Sequence, residues 1–319
     1  MQRAASPPFS FTSLSLRPPR RVGAAWCRAV DLPTFLVQCL NAVQYGLLLF
    51  LVASGLTLIF GIMGVINLAH GSFYMIGAYM AFALAPWFGD WFIAKLLVGV
   101  LLSAAFGFVL EWIFFSFLYQ REHLQQVLMT YALILVFEEA RSLLVGNDVH
   151  GVGTPDWLAG GFQLGGLMSY PWYRVFASLA CIVVALGLYY VVNRTRLGMM
   201  IRAGASNRDM ARGLGLNIKL LYRVVFAGGV ALAALAGMIA APLSSVYPGM
   251  GGSVLIICFV VVVIGGIGSI TGALIASLLV GFVDTFGKVF FAEYSGVFVY
   301  LLMAVILVWR PEGLMKRGY

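Results

Sequence analysis

The chain is a series of long apolar runs separated by short polar loops. Between Leu32 and Gly89, no Asp, Glu, Lys or Arg occurs across 58 residues. A helix needs about 20 apolar residues to cross a bilayer core, so this run predicts two membrane-crossing helices. Further apolar segments lie at about 95–118, 124–145, 171–192, 222–243, 252–267, 271–287 and 296–309. The pattern predicts nine apolar segments, one or two of them short or re-entrant.

The composition also indicates a membrane protein. Of 319 residues, 62% are hydrophobic and 10% are charged, whereas a soluble domain has about 25% charged residues. The mean hydropathy is +0.97. We therefore expect an all-α polytopic membrane protein with about eight or nine transmembrane helices.

Basic residues in the loops set the orientation of these helices. The segment 193–223 contains seven basic residues and one acid, Asp209. With Arg121 and the tail residues Arg310, Lys316 and Arg317, the loops on its side of the membrane contain 11 basic residues, and those on the other side contain 3 (Lys95, Arg174, Lys288). Because cytoplasmic loops are enriched in Lys and Arg, 193–223 is predicted to be a cytoplasmic loop. The net charge of +8 then reflects topology, and no nucleic-acid partner is expected.

Three regions follow from these patterns. Residues 1–31 are expected to be an extension that is disordered or results from a misassigned start, since they lack the apolar core of a secretory signal. Residues 32–310 form the predicted transmembrane domain, and 311–319 a cytoplasmic tail. Nine spans with a cytoplasmic tail would place the N-terminus outside, which conflicts with the five arginines in residues 1–30.

Signatures of catalysis and metal binding are missing from the sequence. The four cysteines form no CxxC pair, and the three histidines are far apart along the chain. No HExxH, GxSxG, GxGxxG or P-loop pattern occurs. We therefore expect a non-catalytic chain with no metal site and no ATP site of its own.

A glycine-broken stretch at 61–71 is the first candidate for function. Helix breaks persist in hydrocarbon only where protein or a water-filled cavity covers the backbone, and the half-helix ends can face a polar solute. An equally weighted alternative is that the glycines only allow close helix packing. The candidate residues for a translocation path are Gly61, Gly64, Asn67, His70, Gly71, Ser72 and Tyr74.

A second glycine-rich element follows about 200 residues later, at Gly265–Gly272. Interrupted segments in two corresponding parts of a chain are typical of transporters with a central path. Gly265, Gly266 and Gly268 are therefore added to the path candidates. A tight turn between two helices is the favoured alternative for this element alone.

The basic loop contains a predicted short helix that ends near Gly213 or Gly215. Ser206 or Asn207 can cap its N-terminus, and an acid in the first turn favours the helix dipole. A capped helix with a small apolar face suits docking into a groove of a partner protein. Its candidate contact residues are Arg202, Ala203, Ala205, Asn207, Arg208, Asp209, Ala211, Leu214 and Gly215.

Charged residues within the spans are few and can be paired locally. Glu138 with Arg141, and Asp284 with Lys288, are neighbours on a helix surface. Glu139 lies beside the first pair, and Glu111, near the cytoplasmic end of its span, is the only acid that could serve as a proton relay. A proton-coupled carrier usually needs an acid at mid-membrane depth, so ion coupling is disfavoured.

Three ordered motifs resemble a known family. The run Gly55–Tyr79, which contains GIMGVINLAHG, closely resembles the LivH-type permease of bacterial branched-chain amino acid ABC importers. Arg202–Asn217 looks like the coupling segment of that family, and Val263–Ala273 like its later glycine signature. With Arg310-Pro-Glu-Gly-Leu314, the resemblance covers about residues 34–315.

The resemblance implies an ABC importer permease fold with a cytoplasmic coupling helix in the bacterial inner membrane. It implies a second LivM-type permease, two cytoplasmic ATPases that bind the ATP and Mg, a periplasmic solute-binding protein and surrounding membrane lipid. Asn207 and Ser72 stand where the family often has acids. Alternatives that stay open are a permease for urea or short amides and, in another class, a stand-alone channel or an ion-coupled carrier.

Overall fold

In the computed structural model, the described residues are 32–89, 91–119, 121–164 and 168–315. The predicted extension at 1–31 lies outside them, as do the last four residues of the predicted tail. Each of the nine apolar segments forms a helix.

The helices follow one another with short connections. They are α1 (Leu32–Met63), α2 (His70–Ala83), α3 (Ala85–Phe88), α4 (Phe92–Leu110), a π-helical turn (Glu111–Phe115), α5 (Ser116–Leu118), α6 (His123–Val145), α7 (Trp172–Arg194), α8 (Arg196–Ser206), α9 (Arg208–Gly213), α10 (Ile218–Ser244), α11 (Met250–Gly265), α12 (Ile270–Phe290) and α13 (Ser295–Trp309). Two single 3-10 turns lie at Asp156–Leu158 and Ala292–Tyr294.

Six helices in the described ranges are long and apolar enough to cross a membrane. They are α1, the continuous stretch Phe92–Leu118, α7, α10, α12 and the stretch Ala292–Trp309. Of the other three segments, α6 has 23 residues and includes two acids and an arginine, while α11 has 16 residues and α2 has 14. The predicted class, all-α and polytopic, is confirmed, and the expected short segments are α2 and α11.

α1 forms the centre of the bundle. In its most apolar window, 94% of the residues are buried, as expected for a helix that is hydrophobic on all sides. Glycines let other helices approach it closely: a Cβ added to Gly281 of α12 would lie 2.7 Å from the Cα of Gly46. Small residues at such contacts are typical of helix pairs in membranes, where packing replaces the hydrophobic effect.

The two ends of the bundle differ in charge. One end gathers α8, α9 and the start of α10 with their basic residues, and the positive-inside asymmetry makes it the cytoplasmic end. The other end holds the start of α1 and the start of α7, where Arg174 donates a hydrogen bond to Asn41 at 2.5 Å. Leu32 therefore lies at the outer end of the bundle.

The outer loop contains local structure that the sequence did not predict. Between α6 and α7, β1 (Gly161–Leu164) and β2 (Met168–Pro171) form an antiparallel pair. His150 also forms an isolated bridge with Val246, just after α10. Strands of four residues are too short for a clear alternation of apolar and polar side chains, so the sequence does not predict them. The bridge joins residues that are far apart in the sequence.

Candidate functional site

The break between α1 and α2 is a short irregular segment within the bundle. α1 ends at Met63, and Gly64 follows with φ +65, a left-handed conformation that favours glycine. Asn67 is fully buried, and its side-chain oxygen accepts the N–H of Ala69 at 3.0 Å. This turn lets α2 begin at the next residue, so the predicted break is confirmed.

His70, the first residue of α2, ties this helix to the middle of α1. Its ring is fully buried, and Nε2 lies 3.0 Å from the carbonyl oxygen of Val52. Val52 is 11 residues before the end of α1, which corresponds to about 16 Å along the helix axis. The chain therefore turns back into the membrane, and α2 starts at mid-depth.

Two buried polar atoms at this turn have no protein partner among the described residues. They are Nδ1 of His70 and Nδ2 of Asn67. A buried donor or acceptor without a partner costs about 1–3 kcal/mol, so such groups are rare in native structures, and a functional role is one explanation for those that occur. Their role in a translocation path stays a prediction.

Glycines hold the start of α2 in tight contact with its neighbours. A Cβ on Gly71 would lie 2.1 Å from the carbonyl oxygen of Gly251 at the start of α11. Ser72 is buried beside this contact, and a Cβ on Gly77 would meet Ala234 of α10. At these positions the packing interpretation of the glycines is supported directly.

The second glycine element is the turn between α11 and α12. Gly266 and Gly268 have φ +93 and +85, and the hydroxyl of Ser269 accepts the N–H of Gly272 at 3.0 Å to cap α12. The segment after α13 closes on the same turn, where the N–H of Leu314 donates to the carbonyl of Ile264 at 2.8 Å. The favoured alternative, a tight interhelical turn, agrees with this geometry.

This turn lies against the cytoplasmic end of α1. A Cβ on Gly61 would be 3.2 Å from the Cα of Gly268. The structure thus brings together the two glycine elements that are about 200 residues apart in the sequence. Gly265 also packs against Gly272, so any larger residue in the turn would separate α11 from α12.

The cytoplasmic loop forms two helices rather than one. Asn207 caps α9 by accepting the N–H of Met210 at 2.9 Å, and α9 ends at Gly213, which confirms one predicted cap and one predicted end. Arg202, Ala203 and Ala205 belong instead to α8, whose N-cap is Thr195. Arg202 fixes α8 to the preceding helix by donating to the carbonyl of Val192.

α9 presents part of its apolar face to solvent. Ala211 is buried against the bundle, whereas Met210 and Leu214 are 65% and 80% exposed. Asp209, in the first turn of α9, is exposed as well. After the helix, Gly215 with φ +88 reverses the chain so that the N–H of Leu216 bonds to the carbonyl of Ala211 at 3.1 Å.

Arg208 connects α9 directly to the break. Its Nη2 donates to the carbonyl oxygen of Met63 at 2.7 Å, one of the carbonyls that a helix end leaves without an internal partner. The same guanidinium lies 5.9 Å from the ring of Tyr222, whose hydroxyl is 3.5 Å from the carbonyl oxygen of Ile62. A cation at a helix C-terminus is favoured by the helix dipole as well.

Glu111 is the buried acid of this cytoplasmic end. It is 1% exposed, forms an ion pair with Arg223 at 3.2 Å and accepts a hydrogen bond from Tyr119 at 2.6 Å. Burial and the bond to Glu111 raise the pKa of the Tyr119 hydroxyl, which therefore remains a donor at neutral pH. Glu111 is fully partnered, so it joins α4 to α10 structurally. The two predicted local pairs, Glu138–Arg141 and Asp284–Lys288, are also present.

A cavity of about 560 Å³ occupies the outer half of the bundle. On α1 it extends from Gln38 to Val52, about 21 Å along the axis. Tyr74 lines it as well, as a member of the predicted path. Its polar and charged lining residues are Gln38, Asn41, Gln44, Tyr45, Tyr74, Arg174, Ser244, Asp284, Thr285 and Lys288.

Sequence reasoning missed most of this cavity. Asp284 and Lys288 were recognised only as a local pair. Gln38, Asn41 and Gln44 recur every three residues, about once per turn of α1, and this spacing is the signal that marks this face of the helix.

Comparison with known proteins identifies relatives over nearly the whole chain. Residues 38–307 match the family described as branched-chain amino acid transport system, permease component. The permease protein BraD of Pseudomonas aeruginosa is 31% identical over 299 residues, covering 89% of this chain and 96% of that protein. LivH of Escherichia coli is 28% identical, with 89% and 96% covered.

A more distant relative is the permease protein LivM. LivM of Escherichia coli is 27% identical, with 82% of this chain and 66% of that protein covered. No solved structure matches the chain. The matched span includes the helices of the break, the two helices of the cytoplasmic loop and the outer cavity, and the chain is accordingly a multi-pass inner-membrane protein. It belongs to the branched-chain amino acid transport permease family.

Proposed function

We propose that this chain is the membrane permease subunit of an ABC importer and forms the translocation path for branched-chain amino acids. Its relatives BraD and LivH are named as permease proteins of high-affinity branched-chain amino acid transport systems. We further propose that it pairs with a LivM-type permease and two ATPases, which bind ATP and Mg, and receives solute from a periplasmic binding protein. The chain itself performs no catalysis in this scheme.

One contact carries the proposal that α9 is the coupling helix. Arg208 of α9 donates to the carbonyl of Met63, at the residue where α1 stops and the break begins. A partner that moves α9 therefore acts on the end of the central helix. The exposed side chains of Met210 and Leu214 give that partner an apolar surface, as expected for a helix that docks in a groove.

A second set of contacts connects the break to the outer cavity. The chain turns at Gly64, and His70 is fixed to the carbonyl of Val52. Val52 also lines the floor of the cavity. We propose that ATP binding to the partner subunits shifts α9, and that this changes the position of α2 at the floor. Such a switch needs a structural element with two arrangements whose balance the nucleotide alters.

Purification and transport test this proposal. The tagged chain, expressed with its genomic neighbours, is expected to co-purify with a second permease and P-loop ATPases, and the complex in proteoliposomes to take up labelled leucine with its binding protein. Gly215→Asp or deletion of residues 206–212 should abolish uptake while the chain remains in the membrane. A chain that purifies alone, or uptake that survives the deletion, would contradict the coupling role.

Urea provides the matched test of substrate class. The permease of a urea importer would take up labelled urea with its cognate binding protein, and leucine would not compete. Uptake of leucine with no uptake of urea is the expected result.

A further inference from the structure

We propose that the outer cavity binds the transported amino acid as a zwitterion, with its carboxylate on Arg174 and Lys288 and its ammonium group on Asp284. This inference rests on the proposed function and assigns the recognition chemistry within it. The cavity lies at the outer end of the bundle, where a solute released from outside would arrive first.

Arg174 supplies a cation that is available to a carboxylate. Its guanidinium donates to the side-chain oxygen of Asn41 at 2.5 Å. No carboxylate lies within ion-pair distance of it in the described part of the chain. A guanidinium is planar and offers paired N–H donors that match a carboxylate, so it is the residue best suited to fix the orientation of this group.

Asp284 and Lys288 add charges of both signs. Asp284 is 7% exposed and its carboxylate lies 2.5 Å from the Lys288 ammonium, whose side chain is 59% exposed. Arg174, Lys288 and Asp284 together carry a net charge of +1. A zwitterion can bring a carboxylate to the cations and an ammonium group to Asp284. Urea or a neutral amide offers no charge to match them.

A side-chain amide faces the cavity. Gln44 is 5% exposed and lines the cavity, and its side chain makes no hydrogen bond to another described residue. Its amide is therefore free to donate to, or accept from, a polar group bound in the cavity. An ammonium or carboxylate group of a bound amino acid would satisfy Gln44 from within the cavity.

The deeper part of the cavity suits an aliphatic side chain. Leu48, Leu49, Val52 and Val254 line it, so a branched side chain would be buried among apolar groups. The volume of about 560 Å³ lies within the range of about 300–1,000 Å³ found for small-molecule sites. Because the carbonyl of Val52 also anchors His70, a solute seated here would contact the residues that hold α2.

Neutralising the cations tests the charge assignment. In proteoliposomes of the complete importer with its binding protein, Arg174→Gln is expected to reduce leucine uptake by roughly 10-fold, because a hydrogen bond to a charged group is lost. Arg174→Lys should recover part of the uptake, since it keeps the charge. Asp148→Asn, in the exposed outer loop, is the control for a charge change away from the cavity. Wild-type uptake in both Arg174→Gln and Lys288→Gln would overturn the inference.

Occupancy can be measured directly by thiol labelling. Thr285→Cys places a thiol in the cavity of a chain whose four native cysteines are changed to alanine. Leucine should slow its reaction with a charged, membrane-impermeant thiol reagent, whereas leucinol, which lacks the carboxylate, should not. Equal protection by both compounds, or protection by neither, would refute the zwitterion site.

Failure of the proposed function and failure of the binding-site assignment give different experimental results. If the unaltered importer does not transport leucine, the proposed function is wrong. If it transports leucine and the cavity variants behave as wild type, only the assignment of the binding site is wrong.

Discussion

Removing the guanidinium of Arg208 should uncouple ATP hydrolysis from uptake. Arg208→Gln loses the 2.7 Å hydrogen bond to the Met63 carbonyl and the contact with the Tyr222 ring at 5.9 Å. A hydrogen bond to a charged group contributes about 1.5–3 kcal/mol when buried. Because Arg208 is exposed, about 1 kcal/mol is the appropriate figure. The cation–π contact adds roughly 0.5–1 kcal/mol at such a site.

Together these interactions amount to about 1.5–2 kcal/mol, which corresponds to a factor of roughly 10–30 in the balance between attached and detached α9. The assay measures leucine uptake and ATP hydrolysis on the same proteoliposomes. We expect hydrolysis to persist while the ratio of leucine transported to ATP hydrolysed falls several-fold.

Two variants separate this effect from a general loss of charge. Arg208→Lys keeps a cation but lacks the planar fork, so it should give an intermediate ratio. Arg212→Gln removes a charge from the exposed end of the same helix and should leave the ratio closer to wild type. An unchanged ratio in Arg208→Gln would refute the reasoning that α9 acts on the break through this residue.

Three further predictions test the break and the docking surface. Gly71→Val should prevent stable folding, because a Cβ would lie 2.1 Å from the Gly251 carbonyl, whereas Gly252→Ala has open space and should behave as wild type on size-exclusion chromatography. His70→Ala removes a buried hydrogen bond worth about 1 kcal/mol and should slow leucine uptake about 5-fold without loss of assembly; normal uptake would reduce His70 to a packing residue. Leu214→Glu puts a charge on the exposed apolar face of α9, and it should weaken co-purification of the ATPases while membrane insertion, followed by protease protection, stays normal.

Local signals in the sequence were sufficient for the helices. Apolar runs of the right length, with few charged residues, predicted all nine long apolar helices, since a bilayer admits few other structures. The cap at Asn207 and the end at Gly213 follow from short-range backbone chemistry that depends on neighbouring residues alone. The break at Gly64 was visible for the same reason.

Contacts between residues that are far apart in the sequence could not be predicted from local sequence signals. Arg208 and Met63 are 145 residues apart, and nothing in either neighbourhood specifies the other. The outer cavity is likewise built from α1, α2, α7, α10, α11 and α12, whose relative positions depend on how glycines pack. The division of the basic loop into α8 and α9 was also missed, since both helices are held by contacts with the bundle.

The early start and short length of α2 have a consequence for how the protein is made. With 14 residues, α2 is about 21 Å long, less than the roughly 30 Å of a bilayer core. The surfaces that hold its first turns, around Ala234 and Gly251, are synthesised more than 150 residues later. α2 therefore reaches its final depth only after α10 and α11 have entered the membrane. The N-terminal part of the bundle cannot complete its packing until most of the protein has been inserted.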